Sequence, residues 1–206
     1  MSIAGFSPEE YAELARCVNE FCDLVEVNGG CGNIWKNNEQ KPIVSYVPEL
    51  LNEVLWQVSC ATHHVRRLSV KISPVDNELL PKLASVLRER STVREVIGVN
   101  TMPNQKPAVD KRGKEHLAWR ESEGAQTKHT GGMSGSSLRF DSARVQQGLQ
   151  PLIPGIRYIS CGGISDGRIL AGRLKLGADG VAIGTTFFER GAKVFSNLLE
   201  EAADLS

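Results

Sequence analysis

The chain has 206 residues, of which 41% are apolar and 23% charged, and 24 Lys and Arg balance 24 Asp and Glu. A formal net charge of zero with no basic stripe argues against a nucleic-acid partner. No apolar run approaches the ~18 residues of a membrane span. Five cysteines, Cys17, Cys22, Cys31, Cys60 and Cys161, form no pair with metal-ligand spacing and are read as free thiols of a reducing compartment.

In chain order, short β-branched runs alternate with longer amphipathic ones. Ser7-Pro8-Glu9-Glu10 reads as a helix start, with Ser7 as N-cap, Pro8 at the first helical position and Glu10 closing a capping box. The helix is predicted to run to about Asn19, with Tyr11, Leu14, Ala15 and Val18 on one face. A strand over 24–28 follows, then a helix over 47–60, a strand over 68–72, a helix over 76–90 and a strand over 96–100. The stretch from Thr101 to about Leu138 is polar and lacks apolar periodicity, and loops of that length are functional or disordered. Alternation resumes with a helix near 142–149, a strand over 156–160 and a helix near 166–176. A strand over 180–183 and one terminal helix over 189–203 complete the chain.

Strand–helix alternation implies one domain over residues 1–206 around a parallel sheet. Every strand ends in polar or glycine-rich residues: Asn28, Ser73, Asn100, Cys161-Gly162-Gly163 and Gly184-Thr185. In a (β/α)8 barrel such ends share one face, where active sites sit. A complete barrel takes about 250 residues, so this chain is expected to be a partial one.

Gly162-Gly163 and Gly184-Thr185 each follow a predicted strand and precede a helix. Glycines there let backbone N–H groups approach a phosphate, and the next helix N-terminus adds a favourable dipole. Lys71, at the end of an apolar strand, is expected to point into the barrel mouth. Asn28 and Asn33 bracket a loop holding one thiol, Cys31. Asn amides suit a planar polar ligand, and a thiol of lowered pKa serves as a general base. His63, His64, His116 and His129 have no ligand-like arrangement, and no metal is predicted.

Taken together these segments resemble the dihydroorotate dehydrogenase family. Ser2-Ile3-Ala4-Gly5-Phe6-Ser7 resembles the end of its third barrel strand. Asn28-Gly29-Gly30-Cys31-Gly32-Asn33 is similar to its fourth strand end and catalytic loop, with Gly30 in place of a serine and Gly32 in place of a proline, which implies a looser loop. Val70-Lys71-Ile72-Ser73-Pro74, Val99-Asn100-Thr101, Gly131-Gly132-Met133-Ser134-Gly135, Cys161-Gly162-Gly163-Ile164 and Ile183-Gly184-Thr185 follow in the family's order.

The resemblance implies an FMN-linked (β/α)8 barrel lacking roughly its first two strands, closest to the cytosolic class with a catalytic cysteine. It further implies oxidation of dihydroorotate to orotate in pyrimidine biosynthesis, with Cys31 as base and the hydride passing to flavin. Asn28, Asn33, Asn100 and Thr101 would then bind substrate. Asn28, Lys71, Val99, Gly135, Gly162, Gly163, Gly184 and Thr185 would bind FMN. A cytoplasmic location and a homodimer are expected on the same ground. A truncated non-catalytic paralogue, or a related flavin barrel acting on another dihydropyrimidine, are the competing readings.

Overall fold

A computed structural model describes residues 1–31, 35–36, 39–62, 67–105 and 131–204. Six strands form one parallel sheet in sequence order: β1 (Ser2–Ile3), β2 (Val25–Asn28), β3 (Leu68–Ile72), β4 (Val93–Gly98), β5 (Arg157–Cys161) and β6 (Gly180–Ala182). Among the described residues β1 and β6 do not pair, so the sheet is an open arc of a barrel. Helices α1 (Pro8–Val18), α2 (Pro48–Ala61), α3 (Leu80–Glu89), α4 (Arg139–Leu149) and α5 (Gly167–Lys175) link successive strands, and α6 (Thr185–Arg190) and α7 (Val194–Ala203) follow β6.

Local chemistry sets these boundaries. Ser7 Oγ accepts from Glu10 N at 3.4 Å, while the Glu10 carboxylate accepts from Phe6 N at 2.6 Å. The capping box therefore closes one residue earlier than its usual form, in which the glutamate reaches the N-cap amide itself. Tyr11, Ala12 and Ala15 are the buried residues of α1, and Leu14 is exposed instead. Strand β4 begins and ends earlier than predicted, leaving Val99 and Asn100 beyond it. Those two are still tied to the neighbouring strands, Val99 N donating to Cys161 O and Asn100 N to Ile72 O, both at 2.6 Å. The expected single terminal helix is two, because Gly191 sits at φ +69°, a conformation that ends α6. Cys22 lies between α1 and β2, half-buried. Within the long polar stretch, Met102–Gln105 pairs antiparallel with Gly131–Met133.

The core sits between the sheet's outer face and the helices. Val25, Val27, Leu68, Val70, Ile72 and Val96 pack there with Leu51, Leu55, Val58, Leu83 and Leu87, all fully excluded from solvent. The concave face differs. Registers align Glu26, Ser69, Glu95 and Arg157 at one level, joined by Ser69 Oγ–Glu95 (3.1 Å) and Arg157–Glu95 (3.5 Å) contacts. One level nearer the strand ends come Asn28, Lys71, Ile97, Ile159 and Gly180. Closed barrels fill this space with apolar layers; here the lower layer is polar, as an arc open to water allows.

Candidate active site

Strand ends β2, β3 and β4 bring a first group of residues together. Asn100 Nδ2 donates to Asn28 Oδ1 at 3.0 Å, and the same oxygen accepts from Gly30 N at 3.2 Å. With Asn28 Oδ1 so engaged, its amide nitrogen and the Asn100 carbonyl oxygen have no hydrogen-bond partner among the described residues, and these groups are donors and an acceptor of the kind a planar ring bearing C=O and N–H groups needs. Cys31 follows directly, half-buried. Lys71 pairs in register with Asn28, lies half-buried on the concave face, and has no ion-pair partner among the described residues.

The loop before Cys31 is held from several sides. Gly29 N donates to Val27 O (3.0 Å), Ser45 N to Gly29 O (2.9 Å) and Ser73 Oγ to Gly30 O (3.1 Å). Ser73 N in turn donates to Ser45 Oγ at 3.1 Å. A Cβ on Gly30 would lie 2.7 Å from Asn100 Cβ and 2.8 Å from Ser73 Oγ. Glycine at this position is thus a packing requirement, and the looseness expected of the loop does not extend to Gly29 and Gly30. Asn33 and Gly32 lie outside the described residues, as do all four histidines.

Beneath the loop lies a polar group that the sequence reading missed. Tyr11, fully buried, donates through Oη to Asn28 O at 2.8 Å. Lys41, 2% exposed, donates Nζ to Tyr11 Oη at 2.5 Å. Burial pushes the Tyr11 phenol up and holds the Lys41 ammonium down to about 8. A negative charge at Cys31 raises both groups, which places them within electrostatic reach of the thiol. Ser45 and Ser73 were missed as well. Apart from Ser73 at a strand end, nothing in local pattern marked them, because Tyr11 reads as one apolar position of a helix and Lys41 as a loop lysine.

A second group forms around β5 and β6. Gly162 and Gly163 have φ of +105° and +74°. A Cβ on Gly163 would meet Arg139 N at 2.5 Å, and one on Gly162 would meet Val99 Cγ2 at 3.2 Å. Gly135, at φ +77°, abuts Thr185, whose Oγ1 bonds Ser134 Oγ at 3.1 Å. Thr101 packs on Gly132. The structure thus pairs Val99 with Gly162 and Gly135 with Thr185, while Gly163 packs on Arg139. One expectation is corrected: α5 does not offer a free N-terminus. Asp166 caps it, accepting from Ile169 N at 3.0 Å, and Gly167 N donates to Glu201 Oε2 at 2.7 Å. Helix α6, by contrast, starts at Gly184 with no side-chain cap, and a Cβ on Gly184 would meet nothing within 4 Å. Of the other thiols, Cys161 has its pKa pushed up by burial, with Lys71 opposing.

Comparison with known proteins identifies the family and the fold. A family model described as "Dihydroorotate dehydrogenase" matches residues 1–205. The chain is 26% identical over 204 residues to a putative dihydroorotate dehydrogenase A (fumarate) of Streptococcus uberis, covering 98% of this chain and 61% of that protein. It is 29% identical over 208 residues to the dihydroorotate dehydrogenase (fumarate) of Saccharomyces cerevisiae, covering 99% and 62%. The catalytic subunit of a dihydroorotate dehydrogenase B (NAD(+)) from Methanocaldococcus jannaschii is 25% identical, with 97% and 60% covered. The chain therefore spans about 60% of the length of these curated relatives. A crystal structure of DHODH from Eimeria tenella in complex with ferulenol superposes with a TM-score of 0.74 at 22% identity, covering 96% of this chain and 54% of that one. That likeness places the open sheet as an arc of a TIM barrel.

Proposed function

Because the chain belongs to the dihydroorotate dehydrogenase family, we propose that its strand ends hold FMN and act on dihydroorotate, oxidising it to orotate. The observation that carries this reading is the Asn28–Asn100 amide pair beside Cys31, on the same sheet end as the glycine loops. The residues fit the cofactor. The left-handed glycines at 162 and 163 let the loop pack directly on Arg139 and Val99 with its backbone uncovered by side chains of its own, and the uncapped α6 start leaves open space at Gly184. Gly162, Gly163, Gly184 and Thr185 would hold the phosphate, Val99 and Gly135 would line the ring, and Lys71 would face the ring's polar end.

Bound flavin supplies the two-electron acceptor. The chain's own part is to orient substrate and move one proton. Asn28 and Asn100 fix the dihydropyrimidine ring through its carbonyl and N–H edge, with Asn33 and Thr101 completing the substrate contacts. Cys31 sulfur takes the proton that leaves the ring carbon. Lys71, with no ion-pair partner among the described residues, offers positive charge where electron density accumulates. The held Gly29–Gly30 backbone limits the positions Cys31 reaches, and proton transfer depends on such geometry first.

Cys31→Ala in the FMN-reconstituted chain tests the assignment. Reduction of the bound flavin by dihydroorotate should slow by about 10²-fold or more, with FMN affinity unchanged. An unchanged reduction rate would remove Cys31 as the base. The open sheet favours a second reading, a chain that binds flavin weakly and turns nothing over. A cytoplasmic location and a homodimer belong to the proposal through the family alone.

A further inference from the structure

Under the Gly162–Gly163 loop lies a cation with no anionic partner among the described residues. Arg173, on α5, is 2% exposed. Its guanidinium donates to Ser142 Oγ at 3.0 Å, to Arg139 O at 2.6 Å and to Gly162 O at 3.4 Å. Ser142 Oγ passes the contact on to Cys161 O at 2.6 Å. Every acceptor is neutral, and no carboxylate among the described residues pairs with it. Its ionisable neighbours are the Tyr158 phenol, the Cys161 thiol and a second cation, Arg139. Burial pushes both the phenol and the thiol up, so neither supplies negative charge at neutral pH. An arginine stays protonated in such a place, and buried charges are as a rule paired. The N-terminal residue of α4, Arg139, abuts Gly163 and adds the partial positive charge of a helix start.

We propose that Arg173 is the buried counter-charge of a phosphate monoester seated on the outer side of the Gly162–Gly163 loop, a positioning residue that acts through the Gly162 carbonyl and sets the preference for phosphorylated over unphosphorylated flavin. The inference rests on the flavin reading for the identity of the ligand, and on Arg173 alone for the preference. Nothing in local sequence marks this residue, which falls on the helix expected near 166–176.

The test compares dissociation constants of FMN and riboflavin for the full chain, Arg173→Met and Arg173→Lys. The Met variant should lose about tenfold or more of the preference for FMN with riboflavin affinity unchanged, and the Lys variant should keep most of it. Equal loss of both ligands in the Met variant, or no loss of preference, overturns the proposal, because a merely structural arginine would not separate the two. Should the Met variant fail to fold, the wild-type chain and the Lys variant decide. Inorganic phosphate should raise the wild-type Tm above its value in chloride at equal ionic strength, and the rise should survive in the Lys variant. No rise overturns the proposal. If wild type binds neither flavin, the cofactor reading fails by itself, and the phosphate measurement still judges Arg173.

Discussion

On the helix-covered face of the sheet Val25, Val27, Val70, Ile72 and Val96 are excluded from solvent, whereas on the concave face Glu26, Lys71, Glu95 and Ile97 keep contact with it. The two faces share the same six strands and differ only by one step of the side-chain alternation. The outer face supplies hydrophobic stabilisation and fixes where each strand ends. The inner face, freed from that task, carries carboxylates, a lysine and an amide at positions that a closed barrel fills with apolar layers. Substitutions should therefore separate: those on the outer face change stability, and those on the inner face change chemistry.

The largest expected effect is on the outer side. Leu55→Ala, at a fully buried position of α2, should cost about 3–4 kcal/mol in denaturant unfolding. Gly163→Ala comes next, at about 2–3 kcal/mol, since the residue is left-handed and the new Cβ would overlap the Arg139 backbone. It should also abolish FMN binding, linking stability and site at the one place where the faces meet. Equal stability of this variant would mean that the loop does not pack as described.

Lys41→Met should give a pH signature. The buried ammonium is held at about 8 against an ordinary 10.5, so the unfolded chain binds its proton more tightly than the folded one. The penalty is full below pH 8 and is relieved as pH rises toward 10.5. Glu10 and Tyr11 on α1 and Cys31 on the loop are the titratable groups facing it. The variant should be more stable than wild type by about 2 kcal/mol at pH 7, and the gap should narrow steadily as pH rises from about 8 toward 10.5. A gap independent of pH would contradict the burial of this charge. Smallest is Ile97→Ala on the concave face, at about 1 kcal/mol; a cost matching that of Leu55→Ala would show that the inner face is as buried as the outer one.

Much of this architecture was legible in the sequence. Ser7-Pro8-Glu9-Glu10 named its own helix start, and period-two apolar runs gave β2, β3 and β5 to within a residue. Asn28, Asn100 and the glycine pairs stood out because polar residues at strand ends have few structural uses. Tertiary partners were not legible. Whether Gly30 tolerates a side chain depends on Asn100 and Ser73, remote in sequence. Asp166 took the α5 N-terminus from any ligand, although an aspartate before a helix is itself a cap signal. Lys41 and Arg173 became buried cations only through the packing of elements about 30 residues away.

The visible absorption of the purified chain reconstituted with FMN, before and after dihydroorotate without oxygen, tests the central claim most directly. A bound flavin band that bleaches would show that this concave face holds cofactor and substrate together. A chain that folds and binds no FMN, or binds it and does not bleach, would contradict the account.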